Sequence, residues 1–407
     1  MVCFKANNSL PAVNKFINGI INRKITDLAK RTGFTKRNDG KLLPCTFVKS
    51  MTIDILNISN PTLKNIAYSC ESIQGSLSIR KEAIYQKLKA GSQLLKEVLK
   101  ESLKYAVNSS AKACGIGILE QFNDVYICDS TVLTVPKKLE KEYPGSGGKL
   151  KKGELKIQTV YSLVDRSIKS VEVIPGHAND CPYVKELAKK VNPGDLVMFD
   201  LGYRDNAGYK DIISKGAFFL TRVMNNSRFH KHIRGRSPAT NKLDMVDILK
   251  KSKNNIVDME LAVGTLPNTR IQCRFIAIRL PDAVVNERIR KTCIKRRKTS
   301  LSKKDLELLK WNTFITNAPA EKLPVESVCS LYRQRWQIEL LFKACKSYLK
   351  LGNLGIGGKH QLECILYGRL INAIFLSVIY SHCYFAMFTT YQREVSTLKF
   401  FDYLGLA

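Results

Sequence analysis

One short segment, YRQRWQIELLFKACK, places Tyr332, Arg335, Glu339 and Lys346 at offsets of three, four and seven residues. On an α-helix such offsets gather the four side chains within an arc of roughly 60°. The result is a carboxylate between two cations, with a phenol on the same face. That set suits holding a divalent metal against a phosphodiester. A second stripe, Ile338, Phe342, Cys345 and Leu349, is apolar. The predicted helix over Tyr332–Lys346 therefore has one face to pack and one to use. The residues alone leave a plainer alternative open, an amphipathic helix whose solvated face carries ion pairs at helical spacing.

Two further carboxylates stand beside apolar runs. Asp129 follows VYIC and precedes Ser130 and Thr131; Asp200 follows LVMF and precedes Leu201, Gly202 and Tyr203. Both are expected at the carboxyl end of a buried strand, where open α/β sheets place their sites. A carboxylate buried there is costly unless it is paired or bound to metal. Singly, each could as well be a turn acid or a helix cap. With Glu339 they make a set of hard oxygen donors without histidine or thiolate, the ligand type of Mg²⁺ or Mn²⁺. Two such ions could activate a nucleophile and stabilise a leaving 3′ oxygen.

The elements that must position these residues follow from periodicity. Up to about residue 115 the apolar positions recur at three and four, which predicts helices. From about residue 120 the period becomes strand-like: DVYICDST (124–131), KIQTVYSLVD (156–165) and IKSVEVIPG (168–176). CPYVKELAKKV then reads as a helix, DLVMFDLGY (195–203) as a buried strand, DNAGYKDIISKG as a helix and AFFLTRV (217–223) as a fifth strand. Strands and helices in this order describe a mixed α/β layer. Residues 224–312 break the rhythm and predict an inserted β-rich subdomain with a basic projection, since Arg288 to Lys304 contains no acid. TFITNAP (313–319) returns to a short strand before the Glu339 helix, and the rest of the chain reads as helical.

Composition names the partner class. Across 407 residues, 66 Lys and Arg against 35 Asp and Glu give a net charge of +31. So large an excess points to a polyanion, since each neutralised phosphate releases counterions. Twelve cysteines are scattered from Cys3 to Cys383 with no Cys-x-x-Cys pair, which excludes a zinc-ribbon pattern and reads as reduced thiols in a cytoplasmic, nucleoid-associated protein. Leu370 to Phe388 carries no charged residue, but Asn372, Ser377, Ser381 and His382 interrupt it, so a buried core helix fits better than a membrane span. PGSGGKL lacks the register of a phosphate loop and is expected to be a loop between strands, and His177 stands alone.

CDST, DLGYRD and YRQRWQIELLFKACK resemble the three acidic motifs of DDE transposases of bacterial insertion sequences. The similarity is to the insertion-sequence-four family, whose signature Tyr-x2-Arg-x3-Glu-x6-Lys is met by Tyr332, Arg335, Glu339 and Lys346. It covers about residues 120–350. The resemblance implies a ribonuclease-H-like mixed-sheet catalytic core over 116–223 and 313–352, interrupted by a β-rich basic insertion at 224–312. A helical, DNA-end-binding domain over 1–115 and C-terminal helices over 353–407 would flank it. It also implies Asp129, Asp200 and Glu339 as ligands of a Mg²⁺ or Mn²⁺ pair, and Tyr332, Arg335 and Lys346 as holders of DNA phosphates. Trp311 would stack on a flipped base, although a core role suits it equally. The implied activity is cleavage at transposon ends and strand transfer into target DNA by a homodimer on paired ends. A nuclease of the same fold without strand joining, or a silent DNA-binding descendant, are the alternatives.

Overall fold

Residues 24–36, 41–56, 58–109, 117–146, 153–231, 242–297, 300–355 and 357–403 are described in a computed structural model. Among the described residues before 115 the regular elements are helical: α1 (Ile25–Arg31), α2 (Pro44–Lys49) running into a π-helical turn at Ser50–Asp54, α3 (Leu63–Gln74) and α4 (Lys81–Ser109). Local chemistry sets these limits. Thr62 and Asn65 form a capping box at the start of α3, and Gly75, at φ +67°, ends it. Strands begin with β1 (Val125–Val135), β2 (Gly153–Ser162) and β3 (Ile168–Pro175). Then α5 (Tyr183–Ala188), β4 (Leu196–Phe199), α6 (Asn206–Ser214) and β5 (Phe218–Arg222) alternate as predicted. The loop expected at PGSGGKL lies largely outside the described residues, as do the first residues of the predicted N-terminal helices.

The stretch read as a β-rich insertion is more helical than its sequence suggested. It contains β6 (Phe229–Lys231), β7 (Lys242–Leu243), β8 (Ile256–Val263) and β9 (Ile271–Arg279), but also α7 (Met245–Lys251), α8 (Asp282–Arg296) and α9 (Lys303–Leu309). The basic run is therefore mostly helix α8. Only Val285 of that helix is buried, so no apolar stripe betrayed its period. β10 (Trp311–Thr316), α10 (Val325–Arg333), α11 (Trp336–Ser347), α12 (Lys359–Tyr391) and α13 (Thr397–Tyr403) complete the chain.

The chain divides into two compact units. One comprises residues 1–114, 129–178 and 336–407. Its strand order is β3-β2-β1, with β2 and β3 antiparallel. Its core is built on α12, which runs along α4. A glycine is required at Gly368 because a Cβ there would collide with the Met51 carbonyl. α12 is long and apolar enough to span a bilayer, yet 83% of its apolar window is buried inside the protein, as a core helix would be. Arg369 enters this core at 1% exposure and donates to the backbone carbonyls of Lys350, Asn353 (2.7 Å) and Ile58 (2.9 Å). Those three acceptors are what make a fully buried guanidinium tolerable.

The other unit comprises residues 115–128 and 179–335 and carries a large mixed sheet in the order β1-β4-β5-β10-β9-β8-β6-β7. β1 with β4 and β4 with β5 are parallel; the remaining pairs are antiparallel. β10 pairs with β5 on one side and β9 on the other, so the strands of the predicted insertion extend the core sheet. All ten cysteines among the described residues are free thiols.

Candidate active site

β4 is a fully buried strand of four residues, and Asp200 is the first residue beyond it. A single 3-10 turn follows, with the Tyr203 amide donating to the Asp200 carbonyl at 3.1 Å. Around this turn the second unit gathers several of the residues singled out from sequence. The Tyr332 hydroxyl donates to the Phe199 carbonyl at 3.0 Å, and its ring packs edge-on against Phe314 with centroids 5.1 Å apart. Burial pushes the Tyr332 phenol up to about 12; the Asp200 carboxylate pushes the same way, and the Arg335 and Arg222 guanidiniums oppose it. Asp200, Tyr332 and Arg335 thus share one electrostatic neighbourhood.

Sequence reasoning missed two members of that neighbourhood. Arg222 ends β5 and pairs in register with Phe314, the residue that supports Tyr332. Its signal was available: it follows the apolar run AFFLT just as Asp200 follows LVMF, the strand-end position of open α/β sheets. The basic run that begins at Arg288 is expected to project from the surface. Arg288 instead folds back on β10, donating to Asn312 Oδ1 at 2.7 Å and to the Trp311 carbonyl at 3.4 Å. Burial, with the nearby Arg222 charge, lowers its pKa. The outward part of α8 keeps the expected exposed cations, with Arg290 and Lys291 around Glu287.

The continuous helix predicted over Tyr332–Lys346 is broken. α10 stops at Arg333, and the Gln334 and Arg335 amides donate to Leu331 and Tyr332, three residues back, before α11 begins at Trp336. Tyr332 and Glu339 therefore belong to two helices, α10 and α11, and not to one. The apolar stripe of the prediction holds: Ile338, Phe342, Cys345 and Leu349 are all buried. Glu339 is exposed in the first turn of α11, where the helix dipole favours a carboxylate. Lys346, two turns on, donates to the Val132 carbonyl of β1 at 3.3 Å, and burial lowers its pKa.

Asp129 also differs from expectation. It does not end its strand: β1 continues to Val135, with Thr131, Leu133 and Val135 buried and Val132 and Thr134 exposed. The alternation in TVLTV marks this continuation. Yet the parallel pairing of β1 with β4 ends at Cys128↔Phe199. Asp129 and Asp200 are each the next residue of their segment. Lys346 and Asp129 belong to the same unit and are linked through β1, three residues apart along the strand from Val132.

Trp311 lies in the core. It is 3% exposed on β10 and its indole nitrogen donates to Glu307 at 3.1 Å. Of the two roles open to it, packing is the one this position serves. Trp336 is 51% exposed. His177 is exposed and hydrogen bonded through Nδ1 to the Pro144 carbonyl at 3.0 Å, in a loop away from these residues in the chain.

Asp129, Asp200 and Glu339 offer oxygen donors alone, which suits a hard divalent cation in donor chemistry. Among the described residues, however, no three His, Cys, Asp or Glu side chains are grouped so as to hold a metal ion.

Comparison with known proteins agrees with the motifs. The chain is 28% identical to the transposase for insertion sequence element IS1151 of Clostridium perfringens over 399 residues, 94% of this chain and 83% of that protein. It is 31% identical to the transposase for IS231E of Bacillus thuringiensis subsp. finitimus over 271 residues, 63% of this chain and 56% of that protein. The IS231C transposase of Bacillus thuringiensis subsp. berliner matches at 27% over 397 residues, 92% and 80% of the two chains. The transposase DDE domain family matches residues 120–375, a span that holds β1, β4, β10, α10 and α11 with Asp129, Asp200, Glu339, Tyr332, Arg335 and Lys346, and the chain belongs to that family.

Proposed function

We propose that this protein is a DNA transposase that cuts the ends of its insertion sequence and joins them to target DNA. The observation that carries the reading is the register of β1 and β4, whose parallel pairing ends immediately before Asp129 and Asp200. The strand orders β3-β2-β1 and β1-β4-β5 support a ribonuclease-H-like core. Asp129, Asp200 and Glu339 would hold Mg²⁺ or Mn²⁺, which when bound supplies an activated nucleophile and charge stabilisation for the leaving 3′ oxygen. Arg335 presents a planar fork suited to two oxygens of one phosphate. Lys346, already held against β1, would supply a point charge to a neighbouring phosphate. Arg222, which acts on the Tyr332 phenol together with Asp200, would draw the DNA backbone in. The exposed cations of α8 would bind backbone in a sequence-independent way. The protein would act in the cytoplasm, as a dimer on paired ends.

Cleavage of intact duplexes carrying the flanking sequences of its reading frame, and strand transfer from pre-cleaved ones, test the proposal. Joined products with Mg²⁺, absent from Glu339→Gln, are expected. Cleavage without joining would establish the nuclease instead, and cleavage retained in Glu339→Gln would remove that carboxylate from the ligand set.

A further inference from the structure

Helix α4 carries two faces of opposite character. Ile84, Leu88, Leu95 and Val98 are buried, and the helix runs along α12, whose Cys364 thiol reaches the Leu88 carbonyl at 3.5 Å. On the other side Tyr85, Gln86, Lys89, Gln93 and Lys96 are all exposed, and helical geometry collects them within an arc of roughly 100°. From Ala83 to Lys96 the chain contains no acid. The same stripe continues through Lys100 and Lys104, but there its charge is already neutralised. Lys100 pairs with Glu97 at 2.6 Å and Lys104 with Glu101 at 2.7 Å. Among the described residues Lys89 and Lys96 have no ion-pair partner. Helix α3 packs against α4. The connection between them, residues 75–80, is tied down by the buried Leu77 and by the Ile79 amide, which donates to Glu71 Oε1 at 2.7 Å.

We infer that the first half of α4, from Tyr85 to Lys96, enters the major groove of duplex DNA and reads base pairs there through Gln86 and Gln93. The inference rests on the proposed transposase function, which requires the protein to recognise the ends of its element. The stripe is about 16 Å long at 1.5 Å per residue, and the major groove admits one helix. A glutamine amide offers a donor and an acceptor together, the pair that matches adenine in that groove. Lysine can only donate, so Lys89 and Lys96 suit phosphates on either side. Tyr85, 66% exposed, gives the same face a flat apolar surface. A face serving solvation alone would pair its lysines along the helix, as the second half of α4 does. The buried opposite side keeps the stripe straight before any ligand arrives, which lowers the ordering cost of binding. A first helix backing a second that lies in the groove is the helix-turn-helix mode of docking. The cations of α8 contact backbone without reading sequence, so this face would supply the discrimination that α8 lacks.

The test titrates the protein, in EDTA, with a duplex carrying the flanking sequences of its reading frame and with a shuffled duplex of the same composition. Wild type is expected to prefer the flanking duplex. Gln86→Ala and Gln93→Ala should each lower that preference roughly tenfold, at different base pairs, with affinity for the shuffled duplex held within about twofold. Lys89→Gln and Lys96→Gln should weaken both duplexes alike and each reduce the salt slope by about one. Lys100→Gln should do neither, and an equal loss there would overturn the restriction to the first half of the helix. All five side chains are exposed, so thermal unfolding should stay where it is in wild type. A preference kept by the double variant Gln86→Ala, Gln93→Ala overturns the inference and leaves the transposase reading standing. Wild-type protein that does not distinguish the two duplexes removes both. Weaker self-association of the double variant in sedimentation, with its DNA preference intact, would assign the face to a second copy of the chain instead.

Discussion

Arg369 and Arg335 are the same residue type put to opposite uses in the two units. Arg369 is inside the helical unit, its guanidinium spread over three backbone carbonyls. Arg335 sits in the turn after α10, only partly buried, beside a phenol and a carboxylate. The first unit also turns its other buried charges inward. Asp165 pairs with Lys169 and binds Ser167, and Arg166 lies over the Tyr384 ring at 4.7 Å. The second unit keeps Arg222, Arg335 and Asp200 around a strand end. A charge whose acceptors are all backbone stabilises its own fold. A charge gathered with other charges at a strand end has capacity for a substrate.

The sharpest way to break this comparison is to remove a carboxylate from each unit. Asp129→Asn and Asp200→Asn should both abolish cleavage, on the order of 10³-fold or more, with end binding retained within several-fold. An active Asp129→Asn would remove that carboxylate from the ligand set. Next in size, Arg369→Met should destabilise the first unit by about 3 kcal/mol or more, because it strands buried carbonyls, and thermal unfolding would show it. A melting temperature unchanged by that substitution would show that the carbonyls find other donors.

Arg335→Ala is expected to act the other way. End binding should weaken about tenfold, equivalent to about 1.4 kcal/mol, with the salt slope reduced by about one and thermal stability held. Equal losses of stability and binding would return Arg335 to a structural ion-pair role. The smallest effect concerns pH. Tyr332 has a folded pKa raised to about 12 against an ordinary value near 10, so its contribution to stability is complete below pH 10 and is lost as pH rises towards 12. Tyr332→Phe should flatten that part of an alkaline unfolding curve, and a curve identical to wild type would contradict the burial of the phenol.

Much of this was legible in the chain. The apolar runs before Asp129, Asp200 and Arg222 mark strands because a strand covered on both faces must be apolar throughout. The stripe Ile338–Phe342–Cys345–Leu349 fixes which side of α11 is buried. Other features left weaker traces. Helix α8 buries almost nothing, so its period is invisible, and the extension of β1 was hidden behind a carboxylate that seemed to end the strand. Trp311 has the same composition-level signal whether it stacks on a base or fills a core; only its 3% exposure separates the two.

The amino-acid sequence by itself determined the family, the acidic motifs, their order and the basic balance, because those are properties of residue type and spacing. It could not determine that the Tyr-Arg-Glu-Lys segment is two helices. The break at Gln334 and Arg335 involves no glycine or proline and arises from a change of hydrogen-bond partner by one residue. Nor could it reveal where the Tyr332 proton goes, since the Phe199 carbonyl that accepts it is 133 residues away in the chain. Spacing governs which side chains share a face; only packing decides which of them are already occupied.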